Sequence, residues 1–324
     1  MIKTNAQKTL QHINNSSRVL IVSHANPDGD TLGSALALSH YCDLQNVAND
    51  LLCADAPAHY FSYLPKINHY HTSLSTINIK HYDTIVCVDH GSLNQSRFQD
   101  HLQGIINDTN AATVINIDHH ASNDSFGNLN HIVTETSSAC ELLYDMFNEC
   151  NVVIEKNIAT CLMTGIITDT GNFTNRATKQ SSLHAASDLV SKGAKIPEIS
   201  NYVVKNKSIQ SLNLWGQIFS RLTINKKYNI AYTVIKEEDF DDNDLNRDAI
   251  DGLVNFLSNM EGIRIVMLLI QEKTGLIKGS FRTYRDDTDV AKLASVWDGG
   301  GHTKAAGFRI EGNLKEENGK WAVV

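Results

Sequence analysis

Short apolar, β-branched runs alternate with segments of helical periodicity through the first part of this chain, and that alternation constrains the fold most. Arg18-Val-Leu-Ile-Val-Ser23, Thr84-Ile-Val-Cys-Val88 and Thr113-Val-Ile-Asn-Ile117 read as buried strands, with Asp50-Leu-Leu-Cys-Ala54 a weaker one. Asp30 to His40 has helical spacing, with Asp30 or Thr31 at its start. Further helical patterns lie around 137–149, 155–168, 179–192 and 196–205. Strands that alternate with helices predict an α/β domain, a mostly parallel sheet covered by helices on both faces.

The pattern changes from about residue 206. Ser208 to Leu222 and Arg247 to Met260 read as helices, and Asn229 to Ile235 as a strand. Ile263 to Ile270 and Leu276 to Phe281 predict a hairpin around Thr274-Gly275. A helix near 288–297 then leads into a glycine run and a last strand. This is the pattern of a smaller α+β domain. The expected division is therefore residues 1–205 and 206–324, where Asn206 and its polar neighbours interrupt the periodicity. A length of 324 residues suits two domains of roughly 100–200 residues each.

Four clusters of acidic and histidine residues fall at the ends of predicted elements. They are His24-Ala-Asn-Pro-Asp28-Gly-Asp30, Asp89-His90-Gly91, Asp118-His119-His120 and Thr168-Asp169-Thr-Gly-Asn172. In an open α/β sheet, ligands bind beyond the carboxyl ends of the strands. Three strands would then deliver Asp and His to one edge. Taken singly, each cluster is ordinary: Asn-Pro and Asp-Gly are turn dipeptides, and an Asp after a strand is often a helix cap. Taken together, those readings leave uncompensated carboxylates converging at one place, where repulsion is costly. Metal ions remove that cost. A ligand set of Asp with some His and no Cys suits Mn²⁺ or Mg²⁺ better than structural zinc. Two ions about 3.5–4 Å apart, bridged by a carboxylate, would activate a water for in-line attack on phosphorus.

Charge and composition narrow the substrate. A formal net charge of −8 argues against a protein that wraps long nucleic acid, and no long-duplex binding is expected. A short phosphorylated substrate remains compatible, because bound cations reverse the field of an acidic pocket. The six cysteines include no Cys-x-x-Cys pair and mostly sit among apolar neighbours, which reads as a reduced, cytoplasmic protein. Met1-Ile-Lys-Thr-Asn-Ala-Gln-Lys8 has no apolar signal core, and no stretch approaches the roughly 20 apolar residues of a membrane span.

His24-x-x-Pro-Asp28-Gly-Asp30-x-x-Gly33-Ser34, Asp118-His119-His120 and Thr168-Asp169-Thr-Gly resemble the DHH phosphoesterase superfamily. Gly299-Gly-Gly-His302-x-x-Ala-Ala-Gly307 resembles the glycine-rich motif of its associated C-terminal domain. The resemblance spans residues 24 to 307 and implies an active site in the cleft between two domains. It also implies roles by position. One metal would take His24, Asp28 and Asp89; the other would take Asp30, Asp89, His119 and Asp169, with Asp89 bridging. His120 would face the scissile phosphate, and Asp118 would orient the histidines. His90 receives no firm role. Arg282, in Gly279-Ser-Phe-Arg282-Thr, and Gly299, Gly300, Gly301 and His302 would grip substrate phosphate.

Length and domain pairing are similar to the small branch that degrades nanoRNA and dephosphorylates pAp (3′-phosphoadenosine 5′-phosphate). The alternatives are hydrolysis of linear or cyclic dinucleotides, a single-strand exonuclease, and a nucleotide-binding protein without catalysis. The resemblance leaves a homodimer open. One departure is visible: many members of the branch place a basic residue directly after the Phe of Thr-Asp-Thr-Gly-x-Phe, whereas here Phe173 is followed by Thr174-Asn175-Arg176.

Overall fold

The computed structural model describes residues 3–174, 176–201, 208–241, 247–250, 252–258, 260–272, 275–317 and 320–324. Asn175, Asn206 and Thr274, on which sequence expectations rested, lie outside the described residues. The chain divides into two compact units, Met1–Asn206 and Lys207–Val324.

The first unit contains strands β1 (Arg18–Val22), β2 (Ala48–Leu52), β3 (Tyr70–His71), β4 (Thr84–Val88), β5 (Thr113–Asp118) and β6 (Leu129–Ile132). Its helices are α1 (Asn5–Asn14), α2 (Gly29–Leu44), α3 (Gln99–Asn107), α4 (Ala139–Glu149), α5 (Lys156–Asp169), α6 (Gln180–Ser191) and α7 (Ile196–Ile199). The strands form one sheet in the order β3-β2-β1-β4-β5-β6, and every pair is parallel. Parallel strands are buried on both faces, and successive side chains here feed two cores. Val19, Ile21, Val86, Val88, Ile115 and Ile117 enter the core beneath α1, α2, α4 and α5. Leu20, Val22, Ile85, Cys87 and Val114 enter the other, with Leu102 of α3. The sequence reading missed β3 and β6, which are very short, and α1 and α3, although α1 carries a readable Thr4-x-x-Gln7 capping box. It placed the second strand two residues late; of the helix expected over 196–205, α7 covers Ile196–Ile199, a π-helical turn continues through Ser200 and Asn201, and the remainder lies outside the described residues.

The second unit contains α8 (Ile209–Ser220), β7 (Thr223–Asn225), β8 (Ile230–Ile235), α9 (Glu237–Asp241), α10 (Leu253–Ser258), β9 (Ile265–Gln271), β10 (Leu276–Arg282), α11 (Val290–Ala294), β11 (Gly300–His302), β12 (Ala305–Glu311), β13 (Leu314–Glu317) and β14 (Lys320–Val323). Its mixed sheet runs β11-β12-β10-β9-β8-β7, with only β8 and β9 parallel. Val266, Leu268 and Ile270 pack on one face with α8 and α10, and Ile265 and Leu269 pack on the other with α11. The single helix expected over 247–260 is a 3₁₀ turn, Arg247–Ile250, followed by α10. Gly252, with φ +81°, lies between them and cannot continue a right-handed helix at that angle.

All six cysteines are free, and five of them are buried. Among the described residues, no helix is long and apolar enough to cross a membrane.

Candidate metal centre

The strand order places a switch point between β1 and β4, where the chain leaves one side of the sheet for the other. Ligand sites in doubly wound sheets form at the carboxyl ends of such strands. His24 follows β1, Asp89 follows β4, Asp118 ends β5, and His119 and His120 come directly after it.

Asp28 is the N-cap of α2, with its Oδ1 accepting from the backbone N–H groups of Asp30 and Thr31 at 3.0 Å each. The helix therefore starts one residue before Asp30, and the cap is neither Asp30 nor Thr31. That cap holds Asp30 in the first turn, pointing inward and fully buried. Both Asp30 oxygens then accept from the start of α4: Oδ2 from Ala139 N at 2.6 Å and Oδ1 from Cys140 N at 2.9 Å. A carboxylate is favoured there, because free N–H groups and the positive helix end point at it. Asp169 ends α5, where the helix dipole disfavours a carboxylate. It reaches the cluster because α5 packs closely on α2. A Cβ on Gly165 would lie closer than 3.0 Å to both Cys140 Sγ and Asp30 Oδ1.

Asp89 sits in the middle. It is 3% exposed and adopts φ +59°, a left-handed conformation that is costly for a non-glycine residue and is found where surroundings enforce it. Its Oδ2 lies 3.5 Å from His24 Nε2, which is also 3.8 Å from Asp28 Oδ1. Its Oδ1 lies 3.5 Å from His119 Nε2, which in turn is 3.8 Å from Asp30 Oδ2 and 3.6 Å from Asp169 Oδ2. Candidate ligand atoms converge in three groups: His24, Asp28 and Asp89; Asp30, His119 and Asp169; and Asp89, Asp118, His119 and His120.

The electrostatics ask for positive charge. Burial alone would lower the His24 and His119 imidazoles, yet the close Asp89 carboxylate and its acidic neighbours outweigh it and hold each up at about 9. Burial would raise Asp89, but His119 and His24 keep it well below the usual carboxylate range. Asp30 is pushed up to about 7 by burial and by the Asp89 charge. Burial and the neighbouring carboxylates raise Asp169 well above its ordinary value. Protons on the two histidines thus balance part of the carboxylate charge, and a divalent cation would take their place. Asp89 Oδ1 accepts no hydrogen bond although it is buried, as a metal ligand atom would. The residues fit a divalent metal site rich in oxygen donors.

Around the cluster, His120 Nδ1 donates to Asp118 Oδ1 at 2.8 Å, and that bond with the Asp118 charge raises the His120 imidazole. Asn123, which the sequence reading missed, donates through Nδ2 to Asp118 Oδ2 at 2.5 Å and to the His90 carbonyl at 2.8 Å. His90 is not a surface residue. It is fully buried and held neutral, lowered to about 4 mainly by burial, and its Nδ1 donates to Val88 O at 2.7 Å. Its ring meets that of His24 edge-on, at 6.1 Å between centroids. One sequence signal for the α4 contact was readable: Ser138-x-x-Glu141 marks a helix start.

Residues 18–166 match the DHH family, N-terminal domain, and residues 227–320 match the DHHA1 domain. The chain thus pairs a DHH domain with a DHHA1 domain. It is 27% identical over 294 residues to a bifunctional oligoribonuclease and PAP phosphatase NrnA of Thermus thermophilus, which covers 91% of this chain and 84% of that protein. The protein of the same name from Bacillus subtilis is 24% identical, covering 90% of this chain and 89% of its own. An exopolyphosphatase-related protein from Bacteroides fragilis superposes with a TM-score of 0.86 at 26% identity, covering 95% of this chain and 92% of that one.

In the DHHA1 unit, Arg282 pairs with Ala305, and Ala305 pairs with His302 on the far strand. Residues directly opposite one another share a sheet face, so the Arg and His stand on one face two strands apart. Gly301, at φ +141°, and Gly299, where a Cβ would meet the Gly307 carbonyl, could not be replaced without distortion. Arg282 is half-buried, and its Nη1 donates to the Phe281 carbonyl at 3.0 Å.

Proposed function

We propose that this chain is a phosphoesterase dependent on two divalent ions, best served by Mn²⁺, which hydrolyses very short oligoribonucleotides and pAp. The observation that carries the reading is Asp89. Its two buried oxygens face separate groups, His24 with Asp28 and His119 with Asp30 and Asp169. Each group together with Asp89 would make one ligand set, with Asp89 common to both. Bound there, the ions would offset the carboxylate charge and lower the pKa of water enough to make it a nucleophile near neutral pH.

The protein's own residues do the remaining work. Asp118 fixes His120 through Nδ1 and keeps the imidazole basic enough to carry a proton, so Nε2 can donate to a phosphate oxygen as negative charge grows there. Asn123 holds Asp118 in turn. Arg282, His302 and the backbone of Gly299, Gly300 and Gly301 bind substrate phosphate. The NrnA relatives, which align over most of both chains, support nanoRNA and pAp as substrates.

The test is an assay of purified protein, after chelation and with added Mn²⁺, against pAp, a dinucleotide, a short RNA, long single-stranded DNA and pyrophosphate. Turnover of pAp and the short RNA only with metal is expected. Full activity after exhaustive chelation, or faster hydrolysis of long strands, would refute the reading.

A further inference from the structure

The strand register of the DHHA1 unit sets out a second basic row beside the first. On the face that carries Arg282, Ala305 and His302, the next row consists of Ser280, Gly307 and Gly300. The row after that pairs Lys278 directly with Arg309. Both of these cations are exposed, and neither makes an ion pair with an acid among the described residues.

Like charges placed directly opposite each other destabilise a sheet. Exposed lysines on strands often guard an edge against unwanted pairing. That explanation does not cover Lys278, which lies on β10 between β9 and β12, although Arg309 stands on the part of β12 that runs past β11 and has no outer partner among the described residues. The two basic rows are separated by four residues of strand, about 14 Å at a rise of about 3.4 Å per residue. The row between them holds one hydroxyl and two glycines, so no bulky side chain stands in the way. Glu311 follows Arg309 on the same face, opposite Leu276, and ends the basic stretch.

We propose that Lys278 and Arg309 form a second phosphate subsite, which holds a distal phosphate of a single-stranded oligonucleotide whose first phosphate lies at Arg282 and His302. This deepens the functional reading above and rests on it. The span exceeds the backbone of a single nucleotide, so pAp and a dinucleotide leave the subsite empty and a trinucleotide or tetranucleotide fills it. A phosphate between the two cations also removes their mutual repulsion. Glu311 limits the track, since a further phosphate would meet a carboxylate. The arrangement therefore favours oligonucleotides that are short but longer than two units.

The test compares wild type with Arg309→Glu and with Lys315→Glu. Lys315 is an exposed lysine of β13 paired with Glu317, so its variant makes the same charge change elsewhere on the unit. Specific activity is read as kcat/KM with Mn²⁺ on pAp and on 5′-phosphorylated di-, tri- and tetraribonucleotides. Arg309→Glu is expected to lower kcat/KM for the tri- and tetranucleotide about tenfold, mostly through KM, the scale of one charge-assisted contact. It should change pAp and the dinucleotide less than twofold, while Lys315→Glu changes none of them. Its melting temperature should stay level or rise, because a like-charged pair becomes an opposite one. Equal losses on all four substrates, or no loss on the longer two, would overturn the subsite. If wild type hydrolyses none of the four, the functional reading fails, and the subsite is judged by calorimetric binding of the same oligonucleotides in chelator. Tighter binding of the trinucleotide than the dinucleotide, abolished by Arg309→Glu, would still support it; equal binding would refute it.

Discussion

Gly165→Ala separates packing from metal affinity. The added methyl would lie closer than 3.0 Å to Cys140 Sγ, Cys140 Cβ and Asp30 Oδ1. Overpacking of this kind costs about 1–3 kcal/mol. In a unit of this size, about 1 kcal/mol moves the melting temperature by about 2–4 °C, so a fall of about 2–12 °C is expected. The methyl also presses on a carboxylate held by two backbone N–H groups, at 2.6 and 2.9 Å. If Asp30 turns away from them, it moves relative to His119 and Asp169, and metal affinity should fall on the order of 10- to 100-fold. A second variant divides the two effects. Cys140→Ala in the Gly165→Ala background removes the sulfur but leaves the contact with Asp30 Oδ1, so the melting temperature should recover in part while metal affinity stays low. The measurements are thermal melts in chelator and Mn²⁺ titration by calorimetry. Wild-type metal affinity in Gly165→Ala, despite a lowered melting temperature, would refute the idea that packing of α5 on α2 sets the position of Asp30 as a ligand.

Asp89→Ala should bind both ions weakly and lose nearly all turnover, because it would remove the proposed bridge; near-normal metal content and rate in the variant would assign the bridge elsewhere. Metal affinity should rise with pH and level off above about 9, since His24 and His119 are held up to about 9 and must lose a proton to become ligands. The sign for stability follows from the same groups: their raised values stabilise the metal-free fold below the ordinary imidazole value, and that contribution is lost as pH rises through about 9. Melts across pH 6 to 10, with and without Mn²⁺, check both, and a pH-independent gap between the two curves would count against it. Arg282→Ala and His302→Ala should cut kcat/KM for nucleotides by a factor on the order of 10 to 1000 with metal content unchanged, as removal of a charge-assisted contact of about 1.5–3 kcal/mol implies, the upper end with added misalignment. A small artificial phosphodiester serves as the comparison substrate, and equal losses on it would place both residues in structural support.

Much of the candidate metal centre was legible in the sequence, because its Asp and His residues lie beside features with local signatures. A β-branched run ending in Ser23, Val88 or Ile117 marks a strand end whatever the rest of the chain does, and parallel pairing brings such ends to one edge. The chemistry of Asp and His without Cys indicates the class of metal before any distance is known. Which carboxylate faces which histidine was not legible. Asp30 is tied to Ala139 and Cys140, more than a hundred residues away, through a helix start that comes near only because glycines on α2 and α5 let the two helices approach. His90 received no firm role and Asn123 went unnoticed, since a buried polar contact between loops leaves no periodic trace. The basic row of Lys278 and Arg309 belongs to the same class: in sequence they are two unrelated surface residues, and only strand register makes them a pair. Local pattern determines what each segment becomes and which groups it can offer. Packing decides which of those groups meet, because closeness between distant segments depends on the shapes of everything between them.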